Sequence, residues 1–306
     1  MEIDKRIKKV VHNIEQVIKG KTDKILLSLV PLVGSGHLIY IDIPGVGKTT
    51  LSESIAKSFD LKTSRIQFTA DLLPSDIIGV TIYNRERNSF EFKKGPIFAH
   101  IVIGDEINRT PPKTQSALLE AMSQCQITVD NITYRLEEPF MVIATENPAE
   151  FTGTYPLPES ELDRFMISLD IGYPEEAVEL KILNGENIVD VKDLKSVMTK
   201  DELLEFVKEA KHTLIEESVL NYLYEIVRKT RTSKFIRLGL SIRGGIEYVK
   251  AVKAYAKICG RDFVIPEDIK TLAKPVIKHR VIFRETETKF RDEIIEDILN
   301  ETKVPI

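Results

Sequence analysis

Cysteine is scarce in this chain: two residues, Cys125 and Cys259, lie far apart and lack CxxC spacing. Neither a structural disulfide nor a zinc site is expected from them, and a reducing, cytoplasmic setting fits. Long apolar runs are also missing. The longest, ILLSLVPLVGSG from Ile25, is interrupted by Pro31 and glycine and falls short of the ~18 apolar residues that a membrane span needs. The opening stretch MEIDKRIKKVVHNIEQ has no apolar stretch of the signal-peptide kind and reads as an amphipathic helix. Positive charge is not in excess. With a net charge of −4 and an isoelectric point near 5.9, the chain has no broad bias toward nucleic acid or anionic lipid, although a local basic patch or pore loop in an assembly stays open. Internal repeats and low-complexity segments are absent.

What is present is the make-up of a soluble globular protein, 42% hydrophobic and 29% charged. At 306 residues the chain exceeds the roughly 250–300 residues at which single cores stop growing, so two domains are expected. Over the first 170 or so residues, short β-branched runs alternate with helix-length segments. HLIYIDI (37–43), RIQFT (65–69), HIVIG (100–104), FMVIAT (140–145) and FMISLD (165–170) read as strands, with helices such as PKTQSALLEAMSQ (112–124) between some of them. Strands separated by helices imply a parallel sheet covered on both faces. TIYNRERNSFEF and QITVDNITYRL read as hairpins, the second turning at Asp130-Asn131.

Beyond about residue 175 the strand signal fades. Thr199 and Glu202 stand at capping-box spacing ahead of an amphipathic helix, and three further amphipathic helices follow. Pro275 is expected to kink or split the last of them. The architecture expected is an α/β nucleotide-binding core over 1–175, a linker over 176–198 and an all-α unit over 199–306, in which 286–306 reads as a solvated helix.

Five stretches carry candidate chemistry. IDIPGVGKTT (41–50) almost spells the phosphate-binding pattern of glycine, four residues, then Gly-Lys-Ser/Thr, with Asp42 in place of the first glycine. A strand feeding such a turn into a helix aims backbone N–H groups and the positive helix end at phosphate. Pro44 stiffens the turn, Gly45 and Gly47 supply backbone angles closed to other residues, and Val46 and Thr50 complete the cradle. Lys48 can reach the outer phosphates and Thr49 can ligate Mg²⁺. Asp42 precedes the tight part of the turn, where a side chain is tolerable. In HIVIGDEINR, a strand ends in Asp105 and Glu106. Behind such a loop, the first acid holds the magnesium shell and the second polarises a water; without the loop the pair would be two solvated carboxylates. Asn147, in FMVIATENP, can orient that water, although Asn-Pro alone is more often a turn. Arg164, in LPESELDRF, can stabilise charge on a transferring phosphoryl group, including from a neighbouring subunit, whereas an isolated Asp-Arg is usually a weak surface pair. Arg243, in LGLSIRGG, heads a helix, where a cation is electrostatically unfavourable and a ligand role gains weight.

In this order, the five stretches resemble the AAA+ ATPases, and specifically the MoxR family. DIPGVGKT, RIQFTADLLPSDIIG, KKGPIFAHIVIGDEINRTPPKTQSALLEAMSQCQITV, ATENPAEFTGTYPLPESELDRF and GRDFVIPEDI are all similar to that family, over roughly residues 10 to 285. The resemblance implies an AAA+ P-loop core with a parallel sheet, a small all-α lid, and a ring, usually a hexamer, with ATP and Mg²⁺ at subunit interfaces. It implies that Lys48 and Thr49 belong to Walker A, Asp105 and Glu106 to Walker B, that Asn147 is sensor 1, Arg164 an arginine finger acting in trans, and Arg243 the sensor 2 arginine. Three departures stand out: Glu146 where glutamine is common, His100 where asparagine is frequent, and GLSIRGG without the usual proline. None deletes a catalytic group, so hydrolysis is expected to be retained.

The function implied is a chaperone-like ATPase that remodels or matures a protein partner, often one with a von Willebrand A-type domain, through a separate adaptor. A nucleic-acid motor is disfavoured by the acidic balance and by the lack of a basic-aromatic stretch. A nucleotide-gated scaffold with little turnover stays open because of Glu146. A small-molecule kinase would need an acceptor pocket that nothing marks.

Overall fold

The computed structural model describes residues 2–148, 153–185, 189–284 and 290–305. Two helices open the chain. The first, α1 (Lys5–Glu15), is capped by the Asp4 carboxylate, which accepts from the Arg6 backbone N–H at 2.8 Å and so satisfies one of the orphan donors of the first turn. The second, α2 (Thr22–Val33), is buried along most of its length, as expected of a helix that is apolar nearly all round.

The alternation read from the sequence then appears. It runs β1 (Leu38–Ile41), α3 (Lys48–Ser58), β2 (Thr63–Gln67), a short α4 (Pro74–Ile78), a hairpin of β3 (Gly79–Asn84) and β4 (Ser89–Lys94), β5 (Ile101–Asp105) and α5 (Pro112–Gln124). A second hairpin, β6 (Gln126–Val129) and β7 (Ile132–Arg135), turns at Asp130 and Asn131, both at positive φ, the backbone that a two-residue hairpin turn requires. After it come β8 (Met141–Glu146), α6 (Glu159–Leu162) and β9 (Ile167–Leu169). Five strands form one sheet in the order β2-β5-β8-β1-β9, with every pairing parallel. Alternate residues serve opposite faces: Leu38 and Tyr40 join one buried cluster, while Ile39 joins the other.

The remainder is mainly helical: α7 (Glu176–Leu183), α8 (Lys200–Lys211), α9 (Glu217–Thr232), β10 (Ile236–Leu238), α10 (Ile242–Ile258), α11 (Pro266–Ile277), β11 (Ile282–Phe283) and α12 (Arg291–Asn300). Thr199 and Glu202 cap α8 reciprocally. The segment 176–198, expected as a linker, contains α7. Pro275 does not split α11: the helix runs through it to Ile277, and the Lys278 N–H still donates to the Lys274 carbonyl at 3.1 Å. The C-terminal helix corrects another expectation. Rather than being solvated, α12 buries Ile294, Ile295 and Ile298 against α9 and α11; the charge alternation masked three isoleucines on one face. Residues 286–289 and 306 of that segment lie outside the described residues.

The helical unit is docked along the sheet. Its α8 and α10 pack on α2, and one apolar cluster runs from α1 through β1 to α12. Arg6 of α1 adds an ion pair to Glu209 of α8 at 2.8 Å.

Candidate nucleotide site

Because β5, β8 and β1 are parallel neighbours, the residues that follow them collect at one edge of the sheet. This is the crevice outside the carboxyl ends of strands where ligands of such sheets bind. Past β1, the backbone reaches Gly47 at φ +88 and enters α3 at Lys48. A side chain at Gly47 would be strained at that angle. The first N–H satisfied within the helix is that of Leu51, which donates to the Gly47 carbonyl at 2.9 Å. The N–H groups of Lys48, Thr49 and Thr50 therefore belong to the first turn, with no intrahelical acceptor and the positive helix end behind them. Lys48 folds back over the loop, its Nζ donating to the Asp42 carbonyl at 2.5 Å and the Ile43 carbonyl at 3.0 Å. Partial burial lowers its pKa, opposed by the nearby carboxylates Asp42, Glu106 and Asp105.

Asp42 has a structural role. Its Oδ2 accepts from the N–H groups of Ile171 and Gly172, both at 2.7 Å, and its Oδ1 accepts from the Ile43 N–H at 2.8 Å. The acid in place of the usual glycine therefore pins the segment beyond β9 to the base of the loop, and its carboxylate is turned away from the phosphate cradle.

The two acids after β5 are held differently. Asp105 is buried and accepts from Thr49 Oγ1 at 3.1 Å and from Arg65 Nε at 2.6 Å. One carboxylate beside one hydroxyl is the small protein share that Mg²⁺ normally takes, the other positions going to phosphate and water. No group of three or more His, Cys, Asp or Glu side chains that could hold a metal occurs among the described residues; the Thr49 hydroxyl beside the Asp105 carboxylate fits a magnesium that arrives with a nucleotide. Glu106 adopts left-handed backbone angles (φ 57°) while its N–H donates to Thr145 Oγ1 at 2.9 Å. Such angles are uncommon for a non-glycine residue and tend to occur at functional turns. Its Oε2 meets Gln67 Nε2 at 3.1 Å and Arg109 Nε at 3.1 Å. Asn147 follows β8 and is buried between the strands that deliver Asp105 and the loop.

Sequence reasoning missed Arg65, Gln67 and Arg109. The signal was available for the first two: in β2 the buried Ile66 lies between polar residues that share the opposite face.

The two arginines lie at the other edge. Arg164 precedes β9, whereas the loop follows β1, and the two strands are parallel neighbours. The Met166 N–H donates to the carbonyl of His37, just before β1, at 2.8 Å. Arg164 donates through Nη1 to the Leu119 carbonyl at 2.7 Å and to Ser123 Oγ, and its buried Nε has no partner among the described residues. The helical unit grips this segment. Arg280, fully buried, donates to Asp163 Oδ1 at 3.0 Å and to the carbonyls of Phe165 and Met166, and His279 Nε2 meets the Phe165 carbonyl at 2.9 Å. The Ser241 hydroxyl donates to Asp163 Oδ2 at 3.0 Å. Arg243, two residues further on and exposed, therefore belongs to the helix start that meets the segment bearing Arg164. A side chain at Gly244 would collide with Leu240 and come within 3.0 Å of Arg280, so glycine allows α10 to approach this closely.

Two departures are now accounted for. Glu146 lines a cavity of about 890 Å³ with Ile41, Asp170 and Lys278. Burial raises its carboxyl pKa, and it is absent from the charges acting on Lys48. His100 lies at the opposite edge, where its Nδ1 accepts the Lys62 N–H at 3.1 Å.

Comparison with known proteins agrees with this geometry. Residues 37–167 match the model of the ATPase family associated with various cellular activities (AAA), and residues 228–298 match that of the AAA lid domain. The chain is an AAA-type ATPase by family and fold. Among curated relatives, YeaC of Bacillus subtilis (strain 168), itself uncharacterized, is 45% identical, with 97% of this chain and 94% of the relative covered. Chaperone MoxR1 of Mycobacterium tuberculosis is 33% identical, with 96% and 79% covered. A crystal structure of a candidate ATPase from Cytophaga hutchinsonii superposes with a TM-score of 0.90 at 38% identity, with 98% and 95% covered. This chain belongs to the MoxR family of AAA+ ATPases.

Proposed function

We propose that this chain hydrolyses ATP with Mg²⁺ at the interfaces of a ring, of hexameric type, and uses the cycle to remodel or mature a protein partner in the cytoplasm. The observation that carries the reading is the division of the site. Lys48, Thr49, Asp105, Glu106 and Asn147 occupy one edge of the sheet, and Arg164 and Arg243 the other. A head-to-tail neighbour would bring an arginine edge to each phosphate loop, as closed rings of one chain do. Mg²⁺ would offset phosphate charge from its place on Thr49 and Asp105. In these roles the Lys48 ammonium holds the outer phosphates, and Glu106 takes the proton of the attacking water, which Asn147 orients. Arg164 and Arg243 supply positive charge where the leaving phosphoryl group develops its own.

The two hairpins suit a polypeptide partner. They enclose a groove of about 490 Å³ lined by Thr81, Phe90, Phe92, Val129, Asp130, Ile132 and Tyr134. The lining is aromatic and aliphatic with one acid and no lysine or arginine, which favours protein over a nucleic-acid strand. The family resemblance adds an adaptor or partner with a von Willebrand A-type domain. One observation favours the scaffold reading: Gln67 and Arg109 both engage Oε2 of Glu106, and hydrogen bonds to its charged form make a carboxylate a weaker base.

Turnover of wild type and Glu106→Gln, measured across protein concentration with particle mass recorded alongside, tests the proposal. Turnover that rises with assembly and is lost in the variant, which still binds ATP, supports it. ATP binding without turnover in either protein leaves the scaffold.

A further inference from the structure

The helix α7 has no buried residue, although four of its eight residues are aliphatic. Leu180 is 55%, Ile182 42% and Leu183 76% exposed. These exposed aliphatic side chains are spread around the helix with glutamates among them, and so much apolar surface on so short a helix suits a covering partner. Around it stand Glu175, Glu176 and Glu179, against one base, Lys181.

Elsewhere on the same chain lies a surface of matching character. Between the end of α2 and helices α8, α9 and α10 there is a groove of about 620 Å³. Val33, Leu220, Ile246 and Val249 supply its apolar lining, and Lys211, Lys250 and Lys253 contribute the charge. Among the described residues, only Lys250 of the three has a carboxylate partner, Glu247 at 2.8 Å. An acidic, aliphatic helix complements this groove in both polarity and charge.

The two surfaces cannot meet within one chain. A side chain at Gly20, just before α2, would touch Val178 of α7, whereas the groove begins at Val33, the last residue of α2. Twelve helical residues separate these ends, about 18 Å at 1.5 Å per residue. Moreover, α7 follows the carboxyl end of β9, on the side of the phosphate loop, and the groove adjoins the end where Met166 packs on Gly34 and Gly36, the side of Arg164. A contact from one copy to the next that joins α7 to the groove therefore has the same polarity as one that joins a phosphate loop to Arg164.

We infer that α7 of one subunit seats in the lysine-rimmed groove of its neighbour, a second copy of this chain, and that this contact holds the ring while nucleotide sits in the adjoining interface. The inference rests on the ring reading above.

The test uses the full chain with ATP and Mg²⁺. Particle mass is followed against concentration for wild type, for Glu176→Lys/Glu179→Lys, for Lys250→Glu/Lys253→Glu, and for all four changes together. Binding of a fluorescent ATP analogue by the monomer is recorded in parallel. Each reversed pair is expected to raise the concentration needed for assembly at least tenfold with nucleotide binding retained, and the fourfold variant to recover most of that loss. As a second measurement, Leu183→Cys chains are mixed with Val249→Cys chains in a Cys125→Ser background and treated with a bismaleimide. Covalent dimers should form in the mixture and in neither protein alone. Reversed pairs that assemble like wild type, or no dimers from assembled mixtures, overturn the docking and leave the ring standing. A wild type that binds nucleotide and stays monomeric overturns both.

Discussion

The two edges of the central sheet are built on different terms. At the carboxyl edge the polar groups engage one another: Lys48 with loop carbonyls, Thr49 and Arg65 with Asp105, Gln67 and Arg109 with Glu106. At the amino edge Arg164 is tied by Nη1 to Leu119 and Ser123 while its buried Nε has no partner among the described residues, and Arg243 is exposed. Much of the hydrogen bonding at this edge goes to holding the backbone that presents Arg164. One edge turns its polar groups toward one another; the other holds the backbone beside Arg164 and leaves Arg243 exposed.

The sharpest way to break this comparison is to mix defects. Arg164→Ala is expected to lower turnover by about 10³–10⁵-fold, the range for an arginine finger, with ATP binding nearly unchanged. Combined with Glu106→Gln chains it should regain measurable turnover, because some interfaces then join an intact loop to an intact arginine. A silent mixture with normal assembly would put Arg164 outside the reaction. Next in size, Lys48→Ala should weaken ATP binding by about 10–100-fold, the worth of a charged hydrogen bond, as calorimetry would read. An unchanged affinity would remove Lys48 from the phosphate edge.

Asp163→Ala separates holding from reacting. It leaves the buried Arg280 without its carboxylate, a defect of about 3 kcal/mol or more, visible as a lower urea midpoint. Turnover of the folded fraction should fall as well, because Arg164 is the next residue along; wild-type stability would refute the clamp. The smallest effect is expected from Glu146→Gln, whose turnover should stay within about twofold of wild type, since burial already favours the neutral carboxyl, which glutamine reproduces in shape and charge. A large change would place that carboxylate in the phosphate field after all.

Much of the phosphate edge was legible in the sequence, because it rests on local rules. Gly47 and Lys48 must be sequential to make the turn, and Asp105 and Glu106 must follow an apolar strand to reach the same edge. Arg65 and Gln67 were harder to see, since their value depends on β2 pairing with β5, which brings Gln67 level with Asp105. The Asp42 carboxylate was harder still: its partners Ile171 and Gly172 are brought to it by the placement of β9 beside β1. At the other edge, KHR (278–280) reads as the end of an amphipathic helix and gives no hint that Arg280 anchors the segment bearing Arg164. In α12 the alternation of charge hid a packed face.

By itself, then, the sequence determined the family, the order of strands and helices, the phosphate loop and the acids behind it, because turn geometry and hydrophobic period act over a few neighbouring residues. Tertiary structure decided which edge each group occupies, which arginine is held and which is presented, and that α7 and the lysine groove lie at opposite ends of α2. Those relations depend on packing between segments a hundred or more residues apart, and no local pattern encodes them.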